Sequence, residues 1–283
     1  MLRTDVSEHA SISATTTFLP RHERWVENTD LFETRPDDET KTWSQDDEVF
    51  VRTLKDGICV TPEGSLQLPL PLRPSISSLP CNEIPVYYRT KTVLDRITCD
   101  PPLLAHCVAA MQKSLDLGHV ECVPHDEIVP SSLANWLPVF PVRHPRKEGV
   151  RLVFDVPAKY KGTSLNDMLY TGPQAELNTP LRSVLNGFRL RPVAVSMDIK
   201  HMFHCFGVPP EQRDLLRFHW WQDNDATKPI VQFRGKVHFF GARSSPGVAM
   251  FALKALAEIG RQSGDLSESE AQILESSFYM MMA

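Results

Sequence analysis

The chain has 283 residues, of which 42% are hydrophobic and 23% charged, with a formal net charge of −5. That length leaves room for about two domains, and the hydrophobic content excludes a disordered or low-complexity chain. A mildly acidic total argues against a nucleic-acid binder, but the distribution does not: residues 1–60 hold 13 acids against 7 bases, and residues 140–200 hold 10 bases against 5 acids.

Residues 1–45 are rich in Ser, Thr, Asp and Glu and read as an acidic, polar linker containing one segment suited to docking, "WVENTDLFE". From Asp46, "DDEVFVRTLKDGICVTPEGSLQLPLPL" reads as a hairpin turning at Gly57 and Gly64. "CDPPLLAHCVAAMQKSLDLGHVECV" predicts a helix, with Asp100 as cap, Pro101 in the first turn and Gly118 at the end. Its apolar positions Leu103, Leu104, Cys107, Val108 and Met111 share a face. "LPVFPV" and "VRLVFDV" flank the polar turn "RHPRKEG" and predict a β-hairpin with a basic tip. "NTPLRSVLNGFRL" predicts a helix after a Thr or Asn cap. "RPVAVSMDI" reads as a short strand buried on both faces.

"LLRFHWW" and "IVQFRGKVHFFGA" predict a second strand pair, with Trp220 and Trp221 as its core and surface positions. "SSPGVAMFALKALAEIGRQ" predicts a helix beginning just after Pro246, "SESEAQILES" a last helix, and "SFYMMM" a strand. The order implies a mixed α+β chain with intermingled subdomains. The six cysteines form no C-x-x-C pair, so free thiols in a reducing compartment are expected. The N-terminus has no apolar leader and no run of eighteen apolar residues occurs, which predicts an intracellular protein, cytoplasmic or nuclear, with no membrane span.

Asp198 is the first candidate for chemistry. It ends an apolar stretch, where a carboxylate is costly unless a cation or donors compensate. The alternative is a turn or helix cap after a strand. "HMFHC" also sets His201, His204 and Cys205 close together; a zinc site is conceivable there, but no fourth ligand is apparent.

Three blocks together resemble the reverse transcriptase of Pao/BEL-type long-terminal-repeat retrotransposons. They are "LPVFPVRHP" with "VRLVFDVPAKYKGTSLNDMLYTGP", then "VAVSMDIKHMFHCFGVPPEQRDLLRFHWW", then "VHFFGARSSPGVAMFAL". The likeness runs from about Asp46 to the end. It implies a right-hand polymerase fold without a thumb: fingers over about 75–170 and 210–245, and an incomplete ferredoxin-like palm over about 171–209 and 246–283.

The resemblance also implies roles. Asp198 would be the first metal-binding carboxylate, with the backbone carbonyl of Ile199 as a further ligand, for a pair of Mg²⁺ ions that activate a primer hydroxyl. Phe203 would be the aromatic gate against a ribose 2′-hydroxyl, and its alternative is a core aromatic. Arg151 would grip the triphosphate. The family's second phosphate-binding cation falls at Arg143 or His144, near Arg146 and Lys147. Gly241, Ser245 and Pro246 would let backbone approach the incoming base and template. Asp155 would be structural. The implied partners are an RNA or DNA template-primer and dNTPs.

The family's second acidic motif is aromatic-Tyr-x-Asp-Asp. Phe278, Tyr279 and Met280 fit its first positions, but Met281 and Met282 stand where the two aspartates belong. Mg²⁺ needs hard oxygen ligands, which a thioether does not supply. The expectation is therefore a truncated reverse-transcriptase-like chain that does not polymerise. Two alternatives are a nucleic-acid-binding module repurposed from the fingers and an active enzyme whose acidic motif lies beyond Ala283.

Overall fold

Ser44 opens the first element of the computed structural model, which describes residues 43–128, 133–143, 149–190 and 195–280. Its hydroxyl accepts a hydrogen bond from Asp47 N (3.2 Å) and caps α1 (Gln45–Gly57). The linker expected over 1–45 otherwise lies outside the described residues. The hairpin expected from Asp46 is corrected to this helix. Phe50, Val51 and Leu54 recur at helical spacing and are buried, while Asp46, Asp47 and Glu48 favour the positive end of the helix dipole. Only β1 (Cys59–Val60) and β2 (Leu66–Gln67) pair, around Gly64.

Two antiparallel sheets carry the middle of the chain. In the larger, the order is β3 (Val120–Cys122), β7 (Ile230–Gly235), β6 (Arg217–Trp221), with β7 central. Phe218 pairs Phe233, and their rings stack 5.7 Å apart. β6 is buried along its whole length, so Trp220 and Trp221 are both core residues and the expected surface position for one of them is corrected. The smaller sheet is the expected hairpin, β4 (Val139–Arg143) with β5 (Val150–Phe154), in the register Val142↔Arg151. Its tip, residues 144–148 with Arg146 and Lys147, lies outside the described residues.

Two long helices contribute to the core. α2 (Glu83–Thr98) buries Val86, Thr90, Leu94 and Ile97, an i, i+4 stripe. α3 (Pro101–Asp116) begins as expected: Asp100 accepts from Leu103 N (3.1 Å), Pro101 sits in the first turn, and Gly118 takes a left-handed φ of 67° just past the end. Cys107 and Met111 are its buried positions. One hydrophobic cluster joins Leu94, Ile97, Met111, Trp220 and Phe233. A second joins Phe50, Leu54 and Tyr170 to α6 (Ser245–Ser263) through Val248 and Ala252. Gly247 is required there, because a Cβ would stand 2.9 Å from both the Phe50 ring and Thr171 O.

Arg217, fully buried in β6, shows how the large sheet is tied down. Its guanidinium donates to Asp214 Oδ1 (3.0 Å), Gln232 Oε1 (2.8 Å), and the carbonyls of Glu127 (2.6 Å) and Ile128 (2.7 Å). A buried cation is tolerable only when its donors are occupied in this way.

The C-terminal part departs from expectation. α4 (Gln174–Leu177) and α5 (Leu181–Arg189) precede a stretch that should be a buried strand. Residues 191–194 lie outside the described residues, and 195–199 are neither strand nor buried: Val195 is 69% and Met197 77% exposed. α5 starts after Pro180 without a side-chain cap, because the candidate Asn178 is engaged elsewhere. Its amide donates to Met280 O (2.7 Å) and accepts from Met280 N (3.0 Å). Residues 278–280 form no strand, and Met280 is held by the Asn178 side chain instead; 281–283 lie outside the described residues. The last helix, α7 (Glu268–Ser276), is as expected and opens on a Ser267–Glu270 capping box. Among the described residues no helix is long and apolar enough to cross a membrane, and all six cysteines are unpaired. Burial pushes the Cys107 thiol up to about 11.

Candidate functional site

A cavity of about 470 Å³ opens between α3, β5, the turn 201–204 and Phe240. Arg151, Phe203 and Phe240 all line it, so three separated sequence blocks meet around one space. Several contacts position them. β5 lies in the hairpin, which presents Arg151 as an exposed residue. Phe154, at the end of β5, stacks on Phe239 at 4.1 Å with the rings nearly parallel. The Phe203 and Phe240 rings are 5.8 Å apart. The stretch after the turn is pinned on both sides: Leu68 N donates to Gly207 O (2.9 Å), and Val208 N donates to Lys236 O (2.7 Å).

The loop 239–245 is shaped by its own hydrogen bonds. Ser245 Oγ, buried, donates to Phe239 O (2.8 Å), and Pro246 sits in the first turn of α6. Gly241 adopts φ 95°, a region that a side chain disfavours. Asn166 holds both sides of this loop: its amide donates to Gly241 O (2.9 Å) and accepts from Arg243 N (2.8 Å). Sequence reasoning passed over Asn166. The available signal was the "SLND" block itself, where Ser164 and Asp167 form a capping box around it.

Other expected site residues fall outside this assembly. Arg143 is exposed and paired with Asp100 (3.0 Å), so it is held at the start of α3. Asp155 accepts from Arg89 (2.8 Å). Asp198 is exposed, which corrects its placement at the end of a buried strand; no desolvated pocket forms around it. Ile199 is partly buried with Met202, Phe203, Phe278 and Met280 against the second hydrophobic cluster.

The residues present do not fit a pair of Mg²⁺ ions. Asp198 and the Ile199 carbonyl are one carboxylate and one neutral oxygen. Two hard dications need several more oxygen ligands. Among the described residues no three His, Cys, Asp or Glu side chains are arranged to hold an ion.

Three imidazoles stand at the edge of the cavity. The His119 ring centroid is 4.6 Å from that of His204 and 6.0 Å from that of His201, and His201 and His204 are 5.9 Å apart. Burial, then the neighbouring rings, hold His204 down to about 4. Burial also lowers His119 and His201; Lys113 adds to both, and Lys200 and Arg151 add to His201.

Comparison with protein-family models finds no match, and comparison with curated proteins finds none either.

Proposed function

We propose that the chain is a reverse-transcriptase-like domain of the Pao/BEL retrotransposon type which retains a nucleotide-binding cleft but does not catalyse RNA-directed DNA polymerisation. The observation that carries this reading is the meeting of Arg151, Phe203 and Phe240 around one cavity. A planar guanidinium beside two aromatic rings suits a ligand with phosphates at one end and a flat base or sugar at the other. Asn166 braces the loop that follows Phe240, through Gly241 O and Arg243 N. The fingers and palm boundaries, the gate role of Phe203, and a template-primer as partner belong to this proposal. The lack of catalysis follows from the donor set: one exposed carboxylate cannot organise two Mg²⁺ ions.

Titration of the purified chain with a fluorescent dNTP analogue tests the proposal. Arg151→Ala should weaken binding at least tenfold, and Phe240→Ala should weaken it less. Equal affinity in all three proteins, or no binding by the parent chain, contradicts it.

A further inference from the structure

We propose that Lys113 and Arg151 clasp the phosphate chain of the ligand directly, from two walls of the cavity, so that the cleft takes a polyphosphate that carries no divalent ion. The inference rests on the nucleotide reading only for the phosphate end of that ligand. Arg151 is the expected grip. Lys113 is not singled out by the sequence, and the fold delivers it. It stands in the last turn of α3, which packs against β5, and both side chains line the same cavity of about 470 Å³. That volume falls in the range of ligand pockets, roughly 300–1,000 Å³.

The two charges are uncommitted. Arg143, in the same hairpin as Arg151, is paired with Asp100, and Arg89 is paired with Asp155. Lys113 and Arg151 are exposed, and among the described residues neither meets a carboxylate. Among the described residues no Asp or Glu lines the cavity either; its polar lining is Lys113, Ser114, Arg151 and three imidazoles. The Ser114 hydroxyl is engaged, donating to Ala110 O (3.2 Å). Burial lowers the proton affinity of His201, and the charges of Lys113, Lys200 and Arg151 lower it further. That ring therefore lies within the reach of both walls, and a phosphate chain, unlike a single carboxylate, spans such a gap. His204 is held down to about 4, and burial lowers His119 as well. The imidazoles are thus neutral at neutral pH, and the two long side chains supply the positive charge. A neutral imidazole still donates one N–H. His204 Nδ1 is buried without a hydrogen-bond partner, and a phosphate oxygen is the kind of acceptor such a group lacks.

The lining also decides against a metal riding on the phosphates. A Mg²⁺ ion there keeps open positions that carboxylates ordinarily fill, and it would meet two fixed cations instead. Phosphates without the ion present their full charge to a planar guanidinium, which binds two oxygens at once, and to an ammonium, which acts as a point charge. Protein cations and free Mg²⁺ therefore compete for the ligand.

The test uses the full chain in EDTA, titrated with inorganic tripolyphosphate by calorimetry and repeated with excess Mg²⁺. The expected result is one tripolyphosphate per chain in EDTA, with weaker binding of pyrophosphate and clear weakening by Mg²⁺. Lys113→Met and Arg151→Ala should each weaken binding by about tenfold or more, with unchanged circular dichroism. Lys91→Met removes an equal charge from α2 and should leave binding unchanged. Tripolyphosphate binding that requires Mg²⁺, or a Lys113→Met chain that binds as the parent does, would overturn the proposal. If the fluorescent dNTP analogue binds in either of those cases, the nucleotide reading stands without this inference. Tripolyphosphate binding with the expected losses but no affinity for the analogue would support this inference and sink the nucleotide reading. No binding of either ligand contradicts both.

Discussion

The two ends of the candidate cleft are built differently. On the side of β3, β7 and β6, Arg217 is fully buried and its donors meet a carboxylate, an amide oxygen and two carbonyls. On the side that carries Asp198, residues 195–198 are exposed and 195–199 form no strand, and Met280 hydrogen-bonds to Asn178. An apolar run such as "VAVSM" becomes a buried strand only where a neighbouring strand accepts its backbone groups. The comparison teaches that one sheet can frame a fully buried cation while an apolar run elsewhere in the chain is left without a partner strand.

Substitutions can break this contrast. The largest effect is expected at Arg217. Arg217→Ala removes the donor shared by Asp214, Gln232 and the carbonyls of Glu127 and Ile128, and should cost about 3–5 kcal/mol in urea unfolding. Asp198→Ala, on the exposed side, should change stability by less than about 0.5 kcal/mol. Equal losses at the two sites would erase the distinction.

Acid sharpens it next. His219 and His238 are buried, and burial holds both near 4 against an ordinary 6.5. The folded state therefore binds fewer protons than the unfolded chain between those values. The stability they contribute is complete above pH 6.5 and is lost as the pH falls towards 4, on the order of 3 kcal/mol for each ring. Unfolding free energies measured across that window should fall steeply in the parent chain and less steeply in His219→Phe. The same slope in both proteins would contradict the assignment.

Smaller effects follow in the second cluster and the loop. Gly247→Ala pushes a methyl group against Phe50 and Thr171 O and should cost about 1–3 kcal/mol by thermal denaturation. Asn166→Ala releases the Gly241 loop and should cost about 1 kcal/mol, with a larger loss in dNTP-analogue affinity than in stability. An unchanged affinity would show that bracing this loop does not matter to the cleft.

Much of the packed side was legible in the residues. Asp100, Pro101 and Gly118 mark both ends of α3, the two apolar runs around "RHPRKEG" give the β4–β5 register, and Ser267 with Glu270 announces α7. α1 was misread because Gly57 and Gly64 look like paired turns, although Phe50, Val51 and Leu54 already share a helical face. α2 passed unread, although Val86, Thr90, Leu94 and Ile97 repeat at helical spacing. The strand at 195–199 failed for a different reason. Local composition records that a run is apolar, not whether another segment covers it. The contact of His119 with His201 and His204 was equally invisible, since only the tertiary fold brings the residue after Gly118 beside that turn.

The most direct measurement is primer extension by the purified 283-residue chain with Mg²⁺, dNTPs and a template-primer, run beside its Asp198→Ala variant. The account predicts no extension by either protein. Extension by the parent chain that disappears in the variant would contradict it, because a lone exposed carboxylate would then be sustaining two-metal chemistry.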